Sequence, residues 1–302
     1  MIDVALLGTG GMMPMPNRFL SSMILRINGK LILVDCGEGT QVTLKSLGWG
    51  FKAIDAILFT HYHADHISGL PGMLLTIGNS GRTEPLMLVG PSGLESIVKG
   101  LRCICPELPY DIIFKELVDE DAVIDISGIQ ISFTFAQHMI TCLAYRFDLK
   151  RKGKFDPRKA IELKIPRKLW SVLQSGSSII HNDVEIFSNQ VMGDERKGIS
   201  ITYCTDSRPT DSIINLACES DLFVCEGMYG ENDKYEKAVE HSHMIFSEAA
   251  QMASKANVKK LWLTHFSPSL SEPELYLQNA KDIFENTELG FDRITTTLFF
   301  EK

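Results

Sequence analysis

Residues 58–70 read LFTHYHADHISGL and place three histidines and an aspartate within six positions, directly after a short apolar run. His61 and His63 are two positions apart, so in an extended segment both side chains point to the same face. Asp65 and His66 follow, where the chain turns into a predicted helix. Folding alone rarely needs four such groups at a strand end, because buried polar groups are costly unless they are paired or bind a metal. The stretch therefore predicts a metal site.

Three further polar residues stand where other apolar, strand-like segments stop: His138 after ISFTFAQ, Asp206 after ISITYCT and His265 after LWLT. Each of them alone has an ordinary structural explanation, as does Asp65 alone, which could cap a helix. Together with the first four they form a set of seven nitrogen and oxygen ligands. Imidazole and carboxylate suit zinc, with manganese or iron as alternatives, and seven ligands are too many for one four-coordinate ion. We therefore expect two ions that share a bridging carboxylate.

The composition is that of a globular protein. The chain has 302 residues, of which 44% are hydrophobic. Its apolar stretches are well short of the ~20 residues needed to span a bilayer, and the amino terminus lacks the pattern of a signal peptide. Seven cysteines without a disulfide-like framework fit a reducing compartment. We expect a cytoplasmic protein that does not bind membranes.

Positive charge is concentrated in one segment of an otherwise acidic chain. Residues 150–168 contain nine lysines or arginines against Asp156 and Glu162, a segment charge of +7 in a chain of net charge −8. Such a run is usually a solvated surface. It is also what a phosphate backbone would bind, so both interpretations stay open from the charge alone.

Strand and helix signals alternate in two blocks on either side of this basic segment. In the first block, VALLG, SSMILRI, KLILVDC, AILFTH and LMLVG predict strands, and DHISGLPGMLLTIGN predicts one helix that begins near Asp65. In the second block, GISITYCTD, LFVCEG, KKLWLTHFS and ITTTLFFEK predict strands, and FSEAAQMASKAN and PELYLQNAKDIFEN predict helices. Two mixed blocks around an insertion predict an α/β fold, with two sheets packed face to face and helices outside.

THYHADH resembles the T-H-x-H-x-D-H signature of the metallo-β-lactamase superfamily, and further segments narrow the resemblance to the ribonuclease Z family. They are LLGTGG at 6–11, DCGEGTQ at 35–41, YCTDSRP at 203–209, HMIFSEAAQMA at 243–253 and LTHFSP at 263–268, in the family's order. The resemblance covers nearly the whole chain. It implies a single domain over residues 1–302 with the four-layer αββα metallo-β-lactamase sandwich, and an inserted arm at residues 150–190.

The resemblance also divides the ligands between two zinc ions: His61, His63 and His138 for one, Asp65, His66 and His265 for the other, with Asp206 as the bridge. A hydroxide held between two divalent ions has a lowered pKa and can attack a phosphodiester phosphorus. The leaving 3′-oxygen then needs a proton.

The resemblance implies catalytic roles for Asp65, His243 and Glu226. His243 is the expected proton donor, because Ala249 and Ala250 follow it at the family's spacing; the neighbouring His241 fits that spacing less well. Glu226 occupies the place of the glutamate in the family's HEAT motif and would orient His243. The sequence VCEGMYG lacks that motif's histidine, alanine and threonine.

The activity implied is that of an endoribonuclease that removes 3′ trailers from precursor tRNA, acting as a homodimer. The arm would clamp the tRNA elbow, which gives the basic segment a purpose. The expected RNA-binding residues are Lys150, Arg151, Lys152, Lys154, Arg158, Lys159, Arg167 and Lys168. The family's Gly-x-Pro element is Lys164-Ile165-Pro166 here, and because lysine rarely adopts a positive φ, we expect the tip of the arm to differ in shape.

Two other functions share some of these features. Another hydrolase of the same fold, such as a cyclic-nucleotide or phosphonate-pathway phosphodiesterase or an arylsulfatase-like enzyme, would need the ligands but not the basic arm. A non-enzymatic RNA-binding or scaffold protein would be expected to have lost ligands, and all seven are present.

Overall fold

The structure, a computed structural model that describes residues 1–120 and 122–301, builds two seven-stranded mixed sheets. The first sheet has the order β16-β1-β2-β3-β4-β5-β6. Its strands are β1 (Ile2–Gly8), β2 (Ser22–Ile27), β3 (Lys30–Val34), β4 (Ile54–Leu58), β5 (Leu86–Gly90), β6 (Ile112–Glu116) and β16 (Thr295–Leu298). Strands β3 to β6 are parallel, and the strands on the other side of β3 are antiparallel.

The second sheet has the order β15-β14-β13-β12-β9-β8-β7. Its strands are β7 (Ile124–Ile126), β8 (Ile129–Ala136), β9 (Cys142–Arg151), β12 (Arg196–Cys204), β13 (Leu222–Glu226), β14 (Leu261–Thr264) and β15 (Thr287–Leu289). Strands β12 to β15 are parallel, whereas β7, β8 and β9 form an antiparallel meander.

Helices cover one face of each sheet. The first sheet carries α1 (Thr40–Leu47), α2 (Ala64–Ile67), α3 (Leu70–Asn79) and α4 (Leu94–Leu101), and the second carries α7 (Asp211–Ala217), α9 (Phe246–Lys255) and α10 (Leu277–Lys281). Ala238 of a further helix, α8 (Tyr235–Glu240), packs in a separate small cluster. Ala5 and Leu7 of β1 belong to a core shared with α1, α3 and α4, whereas Val4 and Leu6 are fully buried outside that core. Because successive strand residues face opposite sides, both faces of the sheet are covered. The predicted α/β fold with two mixed sheets and outer helices is confirmed.

The single helix predicted from Asp65 onward is wrong, because the chain forms two helices, α2 and α3, with a break at Ser68 and Gly69. The Gly69 amide donates to the Cys36 carbonyl at 2.9 Å, and a Cβ at Gly69 would lie 2.4 Å from the Gly37 carbonyl oxygen. A side chain at position 69 would therefore clash with the loop after β3. The helix predicted over 273–286 is also shorter, because a 3₁₀ turn precedes α10.

Residues 149–198, together with the carboxyl-terminal residues 300 and 301, form a separate compact unit that includes the segment 150–190. It contains α5 (Pro157–Glu162), α6 (Trp170–Ser175) and a hairpin of β10 (Ile179–His181) and β11 (Val184–Ile186). A small core of its own holds it together, formed by Ala160, Ile165, Leu173, Ile179, Ile186 and Val191. Lys164 adopts φ 53°, so the absence of the family's glycine does not prevent the left-handed conformation that glycine favours.

Candidate metal centre

The seven predicted ligands come together at strand ends from both sheets. His61 and His63 follow β4, Asp206 follows β12 and His265 follows β14. These three strands belong to the parallel parts of their sheets, where carboxyl ends share an edge and ligands commonly bind. His138 follows β8 in the meander. Asp65 and His66 lie in α2, directly after the β4 histidines.

One group of ligand atoms is formed by His61, His63, His138 and Asp206. His63 Nδ1 lies 3.1 Å from His61 Nε2 and 3.3 Å from His138 Nε2. Asp206 Oδ1 lies 3.8 Å from the Nε2 atoms of both His61 and His138. Burial lowers the pKa of His61 and of His138, which favours the neutral imidazole that binds a metal.

The second group is formed by Asp65, His66 and His265. His66 Nε2 and His265 Nε2 are 3.2 Å apart, and Asp65 Oδ2 lies 3.7 and 3.5 Å from them. Asp206 Oδ2 lies 3.0 Å from His66 Nε2 and 3.2 Å from His265 Nε2. Asp206 thus turns one carboxylate oxygen to each group, as a bridging ligand does.

The donor set fits two metal ions. A tetrahedral ion with bonds of about 2.0–2.2 Å holds its ligand atoms roughly 3.3–3.6 Å apart, close to the 3.0–3.8 Å found here. Asp206 Oδ2 is buried, yet within the described residues it accepts no hydrogen bond of acceptable geometry. Bare imidazole nitrogens and an unsatisfied buried carboxylate oxygen are costly unless a cation lies between them.

Asp35, which the sequence analysis did not single out, supports this arrangement. It follows β3 within DCGEGTQ and is fully buried. Its Oδ2 lies 2.8 Å from His66 Nδ1, and the carboxylate also accepts from the amide and hydroxyl of Thr60. A carboxylate on one ring nitrogen fixes the tautomer and points the other nitrogen at the metal. Burial lowers the pKa of His66, but the carboxylates of Asp206 and Asp35 outweigh burial and raise that pKa, so this position favours positive charge.

Gly11, in the segment LLGTGG, was also missed as a functional position. A Cβ there would lie 2.6 Å from Cε1 and 2.8 Å from Nε2 of His265. The Gly11 amide donates to the carbonyl of Phe266 at 3.1 Å, which holds the loop against the end of β14. Glycine is therefore required because the backbone runs directly across a ligand ring.

His243 and Glu226 form a pair beside the ligands. His243 Nδ1 lies 3.2 Å from Glu226 Oε1 and 4.0 Å from Asp206 Oδ1. Glu226 is fully buried and accepts from the amides of Ser207 at 2.6 Å and Met244 at 3.1 Å. Burial would lower the pKa of His243, but the Glu226 carboxylate outweighs it and raises that pKa to about 9. The pair can therefore hold a proton next to the metal ligands.

Arg208 fastens the loop that carries His243. Its guanidinium forms an ion pair with Glu248 and donates to the carbonyl of His243. Glu248 in turn accepts from the Ile245 amide at 3.1 Å, at the start of α9. The segments YCTDSRP and HMIFSEAAQMA thus meet through one arginine and one glutamate, a role that their spacing in the sequence does not reveal.

A cavity of about 460 Å³ opens onto the metal centre. Besides ligands and His243, it is lined by Met12, Met13, Met139, Lys237 and His241. His241 therefore faces the same space as His243, but it is His243 that contacts Glu226.

The basic residues predicted to bind RNA lie in the unit of residues 149–198. Exposed positions are occupied by Lys150, Lys152, Lys154, Arg158, Lys159, Arg167 and Lys168. Arg151 is partly buried; its guanidinium stacks 5.0 Å from the ring centroid of Phe300 and donates to the Glu301 carbonyl. Three of the exposed residues also have partners inside the unit: Lys159 donates to the Met192 carbonyl at 2.7 Å, Arg158 pairs with Asp156 at 3.7 Å, and Arg167 stacks 5.7 Å from the ring centroid of Trp170.

Solved structures with the same fold define the class. The metallo-β-lactamase fold protein YhfI from Bacillus subtilis matches with a TM-score of 0.70 and 20% identity, and the short form of human tRNase Z with 0.70 and 24%; each comparison covers 98% of both chains. The chain has the metallo-β-lactamase fold, and its clusters of histidine and aspartate support metal binding. Across the described residues, no helix has the length and apolar character needed to cross a membrane.

Comparisons with related sequences identify the family. The chain is 53% identical to ribonuclease Z of Clostridium acetobutylicum and 50% identical to ribonuclease Z of Lachnoclostridium phytofermentans, over 100% of this chain and 99% of each relative. A family model described as anti-Pycsar protein Apyc1 matches residues 2–101. The chain belongs to the ribonuclease Z family. It is therefore a member of a family of metal-dependent hydrolases that act on RNA phosphodiester bonds.

Proposed function

We propose that the chain is a zinc-dependent endoribonuclease that removes 3′ trailers from precursor tRNA and leaves a 3′-hydroxyl on the tRNA. The observation that carries this proposal is the bridging geometry of Asp206, one oxygen toward each ligand group, in a chain with full-length ribonuclease Z relatives. Two zinc ions per chain suit the ligands, since all are imidazole nitrogens or carboxylate oxygens.

His61, His63 and His138 would hold one ion, and Asp65, His66 and His265 the other, with Asp206 between them. When bound, two such ions lower the pKa of water toward neutrality and offset negative charge on the phosphate. Asp65 also accepts from the Met12 amide at 2.7 Å, which orients its carboxylate within the centre.

His243 is the proposed proton donor to the leaving 3′-oxygen. It is the histidine that lines the cavity, contacts a buried carboxylate and lies next to the bridging aspartate. Glu226 holds its Nδ1, so Nε2 is left to donate into the cavity. The scissile P–O3′ bond breaks as that oxygen takes the proton.

The unit of residues 149–198 is the proposed tRNA-binding arm. Its seven exposed basic residues would contact phosphates, which fix position without reading sequence. We further propose that the enzyme works in the cytoplasm as a homodimer, as the family resemblance implies. The alternative of a small-molecule phosphodiesterase is disfavoured, because it gives the arm no role and the full-length relatives of this chain are ribonucleases Z.

Incubation of the zinc-loaded protein with precursor tRNA labelled at its 5′ end tests the function. We expect one cut at the 3′ side, yielding a product with a 3′-hydroxyl, and His63→Ala should abolish both cleavage and binding of one of two zinc ions. His243→Ala should slow single-turnover cleavage by ~10²- to 10⁴-fold with metal content unchanged. Hydrolysis of bis(p-nitrophenyl) phosphate without any cleavage of precursor tRNA would refute the proposal.

A further inference from the structure

The cavity at the metal centre is larger than the ligands and one phosphate require. At about 460 Å³ it lies in the range of sites that bind a small molecule. Lys237 and His241 line it without belonging to either ligand group. They are four positions apart along and just beyond α8, so they share one face of the helix.

Lys237 is held at the cavity by an aromatic ring. Its Nζ lies 5.2 Å from the ring centroid of Tyr229, within the range of a cation–π contact. Tyr229 is itself buried in a small apolar cluster with Met228, Ala238 and Ile245. Ala238 directly follows Lys237 in α8, so the cluster contains the aromatic partner of Lys237 and also the residue next to Lys237 in the chain.

Residues of the same cluster also form hydrogen bonds with the segment that contains His243, the proposed proton donor. The His243 amide donates to the Ala238 carbonyl at 2.8 Å, and the Phe246 amide donates to the Tyr229 carbonyl at 3.0 Å. The helix that carries the exposed Lys237 is therefore hydrogen-bonded to the segment that carries His243. Lys237 and His243, the proposed proton donor to the leaving oxygen, line the same cavity.

From this placement we infer that Lys237 binds the phosphate next to the scissile one on the tRNA side. The inference rests on the proposed function and deepens it. The two metal sites serve the scissile phosphate, whereas the leaving 3′-oxygen belongs to the last nucleotide of the tRNA, whose own 5′-phosphate is the neighbouring anion. Lys237, which lines the same cavity as His243, supplies an ammonium group for this neighbouring phosphate. Lys237 thus helps to select a polynucleotide over an isolated phosphodiester.

Lys237→Gln tests the inference, with Lys234→Gln as the matched control. Lys234 is an exposed lysine in the 3₁₀ turn before α8, and it is not among the residues that line the cavity. Lys237→Gln should raise KM for precursor tRNA ~10-fold or more, the effect of removing one charge-assisted hydrogen bond, with kcat nearly unchanged. Lys237→Arg should restore most of the affinity, and Lys234→Gln should leave KM as in the wild type.

A neutral methylphosphonate in the substrate identifies the phosphate. When it replaces the phosphate one nucleotide to the tRNA side of the cut, wild type and Lys237→Gln should cleave with equal KM, whereas a replacement on the trailer side should preserve their difference. Hydrolysis of bis(p-nitrophenyl) phosphate, which has no neighbouring phosphate, should be the same for both proteins. If the wild type cleaves precursor tRNA and Lys237→Gln has the same KM, the inference is wrong while the function stands. An equal decrease on every substrate, including bis(p-nitrophenyl) phosphate, would show a structural effect and also overturn it.

Discussion

Replacement of Asp35 by asparagine tests whether a buried carboxylate that touches no metal sets the affinity of the centre. The native carboxylate accepts from His66 Nδ1 at 2.8 Å, and from the Thr60 amide at 2.8 Å and the Thr60 hydroxyl at 2.9 Å. Asparagine has nearly the same shape, but it removes the charge and turns an NH₂ group toward one of these donors. His66 would then lose the partner that fixes its tautomer.

The expected decrease is ~10- to 100-fold in zinc affinity at the site of His66, or about 1.4–2.8 kcal/mol, as for other partners of metal-binding histidines. The free energy of unfolding of the metal-free protein should fall by about 1.5–3 kcal/mol, because a buried hydrogen bond to a charged group is removed. Competition with a chromophoric chelator measures the first quantity, and urea unfolding in EDTA measures the second.

Asp3→Asn is the control for a general decrease in stability. Asp3 is a carboxylate on β1 that accepts from Arg26 at 2.9 Å and from Thr297 at 2.6 Å, and neither partner belongs to the ligand groups. This variant should be less stable while binding both ions normally. If Asp35→Asn binds zinc at both sites with wild-type affinity, the Asp35 carboxylate does not set the affinity of the centre.

Three further predictions concern separate parts of the molecule. Gly11→Ala should weaken binding of the ion held by His265 and leave the other ion in place, as elemental analysis after mild chelation would show; two tightly bound ions would contradict the close approach. Glu226→Gln should lower the pKa of His243, and because a proton donor fails as pH rises through its pKa, the alkaline limb of the rate profile should move to lower pH; an unmoved limb would argue against the pair. Neutralising exposed basic residues in 150–168 should reduce the salt dependence of tRNA binding by roughly 0.7–0.9 in log–log slope for each phosphate that the segment no longer neutralises, and an unchanged slope would make the segment only a solvated surface.

Much of the metal centre was predictable because its residues follow apolar runs that form strands. A run such as AILFT or LWLT is buried on both faces, so a polar residue directly after it marks the strand end, and parallel strands bring such ends to one edge. His61, Asp206 and His265 could be found in this way. The family resemblance added the proposed division between two ions and the proposed role of His243, which no local pattern contains.

Asp35, Gly11 and Lys237 could not be found in this way, because the roles proposed for them depend on contacts between separate segments of the chain. Asp35 is an ordinary aspartate after a strand until β3 and β4 pair and bring it to His66, 31 positions later. Gly11 matters only because a loop crosses a ring 254 positions away, the difference between 265 and 11.

Periodicity, residue chemistry and charge are local properties, and they were enough to predict the strands, the candidate ligands and the basic insertion. The folded structure, by contrast, sets the boundary between α2 and α3, because the loop after β3 leaves no room for a side chain at Gly69. It also decided that the insertion has its own core, and that one aspartate faces two ligand groups at once. These features depend on which surfaces the fold brings within a few ångströms, because close packing and hydrogen bonding act only over such distances.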